Sequence, residues 1–399
     1  MTGVTVRVPA KLNLQLAVGP PRADGYHDLV TVFHAVSLYD EVTVVPADRD
    51  GVAVTGEGAD RVPADGDNLA LRAVAALRAA GPAGDADPAG VHVTIAKRIP
   101  VAAGLAGGSA DAAAALVACN ELWACGLSQQ QLAEIGAKVG SDVSFALLGG
   151  TAVGRGRGEQ LTPALAPATQ YHWVLAFADG QLSTPEVYAT LDRLRAAQAG
   201  GAAPAPSSAR GSAAQSPPGA AQSRAAQPGA AQPRGAQPGA AQPGAAQPGT
   251  ARSRAAQPGA APRAAKSGAA KSGAAKSGAA KSRTAQSRTP QSPAPGLDAA
   301  LMSALRSGDA TLVGRTLSND LQPAAVSLFP ALRKTLAAGL ELGALGALVA
   351  GSGPTCVFLA SSADRALALA ASLAGAGVCR SVARATGPVP GAAIVPSAK

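Results

Sequence analysis

The sequence predicts an α+β protein of two domains, the second interrupted by a long disordered insert. Three observations carry this. Residues 91 to 125 read as a strand, a glycine-rich turn and a helix: Val91, Val93 and Ile95 alternate with His92 and Thr94, and an alanine-rich stretch follows Asp111. Alternating apolar runs come before that unit and helical patterns after it, an order that makes one mixed domain to about Pro167. From about Ala199 to Gly296 the chain is almost wholly Gly, Ala, Gln, Pro, Ser, Lys and Arg, repeating Gly-Ala-Ala-Gln-Pro and then Gly-Ala-Ala-Lys-Ser. With no aromatic and almost no large aliphatic side chain, such a segment cannot offset its chain entropy by burial. Its five-residue period is too short for a solenoid unit.

Setting the insert aside reverses the electrostatic reading. It holds 12 of the 34 Lys and Arg and none of the 25 Asp and Glu, so the rest has 22 basic against 25 acidic residues. The overall charge of +9 therefore belongs to the insert, and the folded part gives no ground for a nucleic-acid partner. Cys119, Cys125, Cys356 and Cys379 show no C-x-x-C spacing, which fits reduced thiols in a cytoplasmic protein. Met1 to Val8 carries no apolar signal-peptide core. The uncharged stretch Leu342 to Ala363 is long enough for a membrane span, but its glycines and Ser-Gly-Pro-Thr centre suit strand, turn and strand, so no membrane partner is expected.

In chain order, Val4, Val6 and Val8, then Leu12, Leu14 and Leu16, give a strand broken at Pro9-Ala10, with Lys11, Asn13 and Gln15 on its polar face. Gly19 to Asp28 is a loop, and Val30 to Val45 resumes the strand pattern. Asn68 to Ala80 is helical, with Asp67 or Asn68 as cap. The helix from Asp111 stops near Gly126. Ser128 to Gln131 is a capping box for the next helix, ended by Gly140. Ser141 to Leu148 is a short helix with Asp142 in its first turn, where a carboxylate is stabilised. Gly149 to Gly158 returns as a strand. The second domain takes a strand at Trp173 to Phe177 and a helix at Pro185 to Ala197, then short helices from Leu297. Two strands around Gly351-Ser-Gly353, a helix from Ala363 to Ala374 and a last strand from Val378 to Ala385 complete it.

The turn from Lys97 to Asp111 reads as a phosphate cradle. Gly104, Gly107 and Gly108 remove side chains where the backbone enters a helix, so N–H groups and the positive helix end can face an anion. An ordinary glycine turn is the plain alternative, with Ser109 as N-cap rather than phosphate donor. Neither Gly-x-x-x-x-Gly-Lys-Ser/Thr nor Gly-x-Gly-x-x-Gly occurs here. A phosphoryl-transfer site also needs charge neutralisation and a proton acceptor. Lys11 and Asp142 can supply these, although a strand lysine is often solvated and Asp142 can be a simple cap.

Pro9-Ala-Lys-Leu-Asn13, Pro100 to Asp111 and Val349-Ala-Gly-Ser-Gly-Pro-Thr355 resemble, in order, the three motifs of the GHMP kinase superfamily. Arg22-Ala-Asp-Gly-Tyr-His27 and Gly140-Ser-Asp-Val-Ser-Phe145 resemble signatures of its 4-diphosphocytidyl-2-C-methyl-D-erythritol kinase family. The resemblance implies a two-domain GHMP kinase fold, with a ribosomal protein S5 domain 2-like N-terminal domain over 1–167 and a ferredoxin-like C-terminal domain over 168–198 and 297–391, split by the insert at 199–296. It also implies phosphorylation of the 2-hydroxyl of 4-diphosphocytidyl-2-C-methyl-D-erythritol by ATP, in the non-mevalonate route to isopentenyl diphosphate.

By the same resemblance, Asp142 is the general base and Lys11 its partner. Pro100, Ala102, Gly104, Leu105, Ala106, Gly107, Gly108 and Ser109 wrap the ATP phosphates, and Asn68, Leu69 and Lys97 face the adenine side. Tyr26 stacks on the cytosine and His27 reads its edge. Tyr188 is the opposite ring. Asn13, Gly351, Ser352 and Gly353 approach the diphosphate and erythritol part. Many relatives have Gly at Ala103 and Ala106, so Ala106 is expected to take an ordinary φ. Asp111 is expected in the first helical turn, pointing away from the phosphates. Mg²⁺ is assigned to the ATP complex with no protein ligand, and the protein is either a monomer or a homodimer. A GHMP kinase for homoserine or mevalonate is the nearer alternative, disfavoured by the Gly25-Tyr-His27 loop. A ligand sensor without catalysis would not need both Lys11 and Asp142. The insert as a basic tether is a third reading.

Overall fold

Two long antiparallel strands, β1 (Val4–Pro21) and β2 (His27–Pro46), form the spine of the computed structural model, which describes residues 3–81, 90–165, 169–200 and 294–396. Pro9 has no N–H to give a ladder, and the register shifts between Pro9 and Ala10 without ending the strand. Lys11, Asn13 and Gln15 do share a face, but that face is buried, not solvated.

Around the spine a first sheet is completed by β3 (Gly51–Gly56), β4 (Val91–Lys97), β5 (Thr151–Gly156) and β6 (Gln160–Pro163). Its order is β1-β2-β4-β3, with β5 pairing the other half of β2 and β6 pairing β5. Helix α1 (Leu69–Ala79) is capped by the Asn68 side chain, as expected. Helix α2 (Gly107–Leu122) starts four residues before the expected Asp111, with Ala106 at its cap position. A row of fully buried alanines from Ala110 to Ala118, with Leu116 and Cys119, lets α2 lie close against the sheet. Helix α3 (Gln129–Val139) opens on the Ser128–Gln131 capping box, and α4 (Val143–Leu148) follows after Gly140.

The second sheet contains β7 (Tyr171–Phe177), and after it comes α5 (Thr184–Gly200). The expected insert, 199–296, lies outside the described residues apart from its ends. Residues 199 and 200 close α5, and the Gly296 carbonyl accepts a hydrogen bond from Gln15. Beyond it come α6 (Ala299–Ser307), α7 (Ala310–Thr316), the short strand β8 (Ser318–Asn319), α8 (Gln322–Leu328) and α9 (Ala331–Glu341). Strands β9 (Gly346–Val349) and β10 (Cys356–Ala360), helix α10 (Ala363–Gly375) and strands β11 (Ser381–Gly387) and β12 (Ala393–Ile394) end the chain. The second sheet is antiparallel throughout in the order β11-β7-β10-β9, and β8 and β12 return to pair with β1 in the first.

Strand β7 shows how the two layers share a core. Tyr171, Trp173, Leu175 and Phe177 face the apolar cluster of the first sheet, while Val174 and Ala176 face a second cluster built from α5, α8, α9 and α10. A sheet covered on both faces needs a continuous apolar run, and Trp-Val-Leu-Ala-Phe supplies one. The result is an N-terminal α+β layer and a C-terminal antiparallel sheet backed by helices, the arrangement that the resemblance to the GHMP kinases implies. Among the described residues no helix is long and apolar enough to cross a membrane.

Candidate active site

The three motifs meet at one place. The loop from Pro100 to Ala106 joins β4 to α2, and a Cβ on Gly104 would run into the Ala350 carbonyl, so this loop and the 351–353 turn touch at backbone level. The Lys11 amide donates to the Leu105 carbonyl at 3.3 Å. A Cβ on Gly351 would lie 3.4 Å from Lys11 Nζ and 3.5 Å from Asn13 Oδ1. Behind that turn, Asn319 donates to the carbonyls of both Val349 and Gly351 at 2.7 Å. A continuous cleft of about 1450 Å³ opens over this junction, more than a single small ligand requires.

Lys11 and Asp142 lie on its wall, Nζ to Oδ2 at 3.7 Å. Asp142 occupies the position before α4 yet makes no capping hydrogen bond, so its carboxylate is turned to Lys11 rather than to the helix. The amine is held from behind. It donates to Asn13 Oδ1 at 2.7 Å, Asn13 donates to Thr31 Oγ1 at 2.8 Å, and Thr31 donates to the Gln15 carbonyl at 2.6 Å. The Phe33 ring, 5.5 Å from Nζ, covers the amine's other flank.

No side chain caps α2. Its first N–H groups, at Gly107, Gly108 and Ser109, are therefore presented as an anion site. Ser109 is inside the first turn and is not the N-cap. Two alanines carry the bend in left-handed conformations, Ala102 at φ 54° and Ala106 at φ 60°, which corrects the expectation of an ordinary φ at Ala106. The loop's path demands that geometry whether or not glycine supplies it. Leu105 has its side chain in the core and does not line the cleft; its carbonyl is taken by the Lys11 amide.

The adenine-side residues are more committed than expected. The Asn68 amide caps α1 through its oxygen and donates its N–H to the Pro63 carbonyl, so both ends are used. Lys97 Nζ lies between Asp40 at 2.5 Å and Asp111 at 2.7 Å, all three buried. Asp111 therefore lies past the first helical turn rather than within it, and its carboxylate faces Lys97. Burial, more than the opposing pull of Lys97, pushes its carboxyl above the ordinary carboxylate range, and Asp40 adds to the rise. The two carboxylates in turn hold the Lys97 amine above its ordinary range, against the effect of its own burial. Asp40 also accepts the Arg98 and Ile99 amides, which fixes the entry to the phosphate loop.

At the far end of the cleft His27 packs on Tyr188, ring centroids 5.0 Å apart and tilted by 38°. Tyr26 is 54% exposed, with the Arg157 guanidinium 5.2 Å above its ring. Burial and the nearby Asp142 charge both push the Tyr188 phenol above its ordinary range. Ser352 shares a 2.9 Å hydrogen bond with Thr184 at the start of α5. Gly353 does not line the cleft; a Cβ there would meet Val349 and Leu182.

Sequence reasoning missed Asp192, whose oxygens lie 3.1 and 3.2 Å from His27 Nε2. Its position four residues after Tyr188 on one helix face was the available signal. Asp40 was legible only as a charge within an apolar strand pattern. Arg157, Thr31 and Asn319 gave no signal of their own.

Residues 68–150 match the family model for the GHMP kinases N terminal domain and residues 301–379 that for the GHMP kinases C terminal. The chain is 44% identical over 402 residues to a 4-diphosphocytidyl-2-C-methyl-D-erythritol kinase of Thermobifida fusca (strain YX), covering 99% of each chain. It is 45% identical over 392 residues to the enzyme of that name from Nocardia farcinica (strain IFM 10152), covering 98% and 96%. A crystal structure of 4-(cytidine 5'-diphospho)-2C-methyl-D-erythritol kinase superposes with a TM-score of 0.58 at 26% identity, covering 96% of this chain and 98% of that one. Homoserine kinase from Cytophaga hutchinsonii, at 16% identity and a TM-score of 0.57 over 99% and 98%, shares the fold. The chain is thus a small-molecule kinase that belongs to the 4-diphosphocytidyl-2-C-methyl-D-erythritol kinase family of the GHMP kinases.

Proposed function

We propose that this kinase transfers the γ-phosphoryl group of ATP to the 2-hydroxyl of 4-diphosphocytidyl-2-C-methyl-D-erythritol, giving ADP and the 2-phosphate. The observation that carries this is the approach of Lys11 and Asp142 to 3.7 Å beside an uncapped helix start. Asp142 accepts the hydroxyl proton as the oxygen attacks the γ-phosphorus and the bond to the ADP oxygen breaks. Lys11 lies between Asp142 and the 351–353 turn, where it draws the nucleophile and the transferring group together and balances charge that builds in the transition state. Gly107, Gly108 and Ser109 take the phosphates.

Mg²⁺ belongs with the nucleotide, where it neutralises phosphate charge. Among the described residues no group of three or more His, Cys, Asp or Glu side chains could hold a metal ion, and Asp111 is engaged by Lys97. The cytidine end goes to Tyr26, His27 and Tyr188, and a cleft of about 1450 Å³ supports more than one ligand of nucleotide size. The four unpaired cysteines support a cytoplasmic setting.

Asp142→Ala is expected to reduce turnover by at least about 10²-fold while ATP binding stays largely intact, the scale of a lost general base. The check is a coupled ADP-release assay with the cytidine substrate, beside homoserine and mevalonate. Equal activity in wild type and variant would remove Asp142 from the mechanism, and turnover of homoserine or mevalonate in place of the cytidine substrate would reassign the acceptor.

A further inference from the structure

We infer that Asp192 is a specificity-determining positioning residue: it locks His27 in the tautomer that distinguishes a cytosine from a uracil. The inference rests on the cytidine end of the cleft lying at His27, as proposed above, and adds a residue that no part of that reading uses.

The geometry comes from one helix face. Tyr188 and Asp192 are one turn apart on α5, so both reach the same neighbour. The neighbour is His27, with the Tyr188 ring against its face and the Asp192 carboxylate against its Nε2. An ionised carboxylate only accepts hydrogen bonds, so Nε2 must carry the proton. A neutral imidazole protonated at Nε2 has a bare lone pair on Nδ1. Asp192 occupies Nε2, which leaves Nδ1 as the open ring nitrogen of a residue that lines the cleft.

A bare lone pair reads a base edge with a definite sign. It accepts a hydrogen bond from the exocyclic amine of cytosine, and it faces the O4 carbonyl of uracil as one acceptor against another. A site built to meet a donor discriminates strongly against the analogue that presents an acceptor, because both polar atoms are then left unpaired. Without the carboxylate the imidazole is free to carry its proton on Nδ1, and the preference goes. The ring's packing on Tyr188 would survive that change, so the loss is one of selectivity and not of the pocket.

The test is direct binding of CDP and of UDP to the full chain by calorimetry, in wild type, Asp192→Leu and Asp192→Asn, with KM for ATP measured alongside. Asp192 has a side chain 33% exposed, so Leu is expected to fold. Wild type is expected to favour CDP, Asp192→Leu to reduce the CDP-to-UDP preference by about tenfold, the value of one hydrogen bond, and KM for ATP to hold. Asp192→Asn, whose amide oxygen accepts the same N–H, is expected to keep most of the preference. An unchanged preference in Asp192→Leu overturns the inference, as does an Asn variant that loses as much as Leu. Equal binding of CDP and UDP by wild type overturns instead the assignment of this end to cytosine, and the inference with it.

Discussion

At the scale of single residues, the site depends on how one amine is held. A lysine in a buried strand face is costly unless its donors are met, and Lys11 meets that requirement through Asn13, Thr31 and the Gln15 carbonyl. Asn13 therefore aims Lys11 at Asp142 as much as it faces the cleft itself. Asn13→Ala is expected to reduce kcat by about tenfold or more, the scale of a lost hydrogen bond to a charged group. Substrate KM should change less. Steady-state kinetics checks it, and a correctly folded variant with unchanged kcat would mean the amine holds its place without Asn13. The types and order of Lys11, Asn13 and Asp142 were legible because each stands in a motif with fixed neighbours. The chain of hydrogen bonds behind them was not, since Thr31 comes from another strand and nothing in its own surroundings marks it. His27 was legible and Asp192 was not for the same reason: His27 stands in a motif, whereas the carboxylate against it comes from wherever the fold brings a helix face.

At the scale of the element, the loop from Pro100 to Ala106 sets what can bind at the start of α2. Alternation before it and alanine after it made strand, turn and helix readable. The helix start was misplaced because glycines at 107 and 108 look like turn residues, whereas here they let Lys97 and Leu69 approach the first helical turn. The left-handed alanines were also unreadable, since their φ is a property of the folded loop and an alanine in sequence carries no mark of it. A Cβ in that region costs roughly 1 kcal/mol or more relative to glycine. Ala106→Gly is accordingly expected to raise unfolding free energy by a net of about 0.5 kcal/mol, the relieved strain less the greater freedom glycine has when unfolded. Urea melts of both proteins check this, and a variant less stable than the parent would show that contacts of the Ala106 methyl outweigh its backbone strain.

For the whole molecule, the joint between the two sheets matters most, because the site is completed across it. The shared core was legible as apolar runs, but the packing partner of each run was not, and His34 shows why. In sequence it is one histidine in a strand pattern. In the fold it is fully buried on β2, with the rings of Tyr171 and Trp173 from β7 set edge-on at 5.8 and 5.6 Å and Thr151 Oγ1 at 2.9 Å from Nδ1. Burial pushes its pKa down to about 3, with only a partial offset from the Gly387 backbone. The native state therefore keeps His34 neutral while the unfolded chain protonates it near 6.5. Between those values the unfolded state binds more protons, so stability is complete above about pH 6.5 and falls as pH drops through the window towards 3. From pH 7.5 to 5.0 this one group should remove about 2 kcal/mol. His34→Phe loses a hydrogen bond at every pH but no longer titrates. Its stability should therefore fall about 2 kcal/mol less than that of the parent over the same interval, while the other acids and bases titrate alike in both. Urea melts at the two pH values measure the difference, and equal losses in parent and variant would place the acid sensitivity of this joint elsewhere.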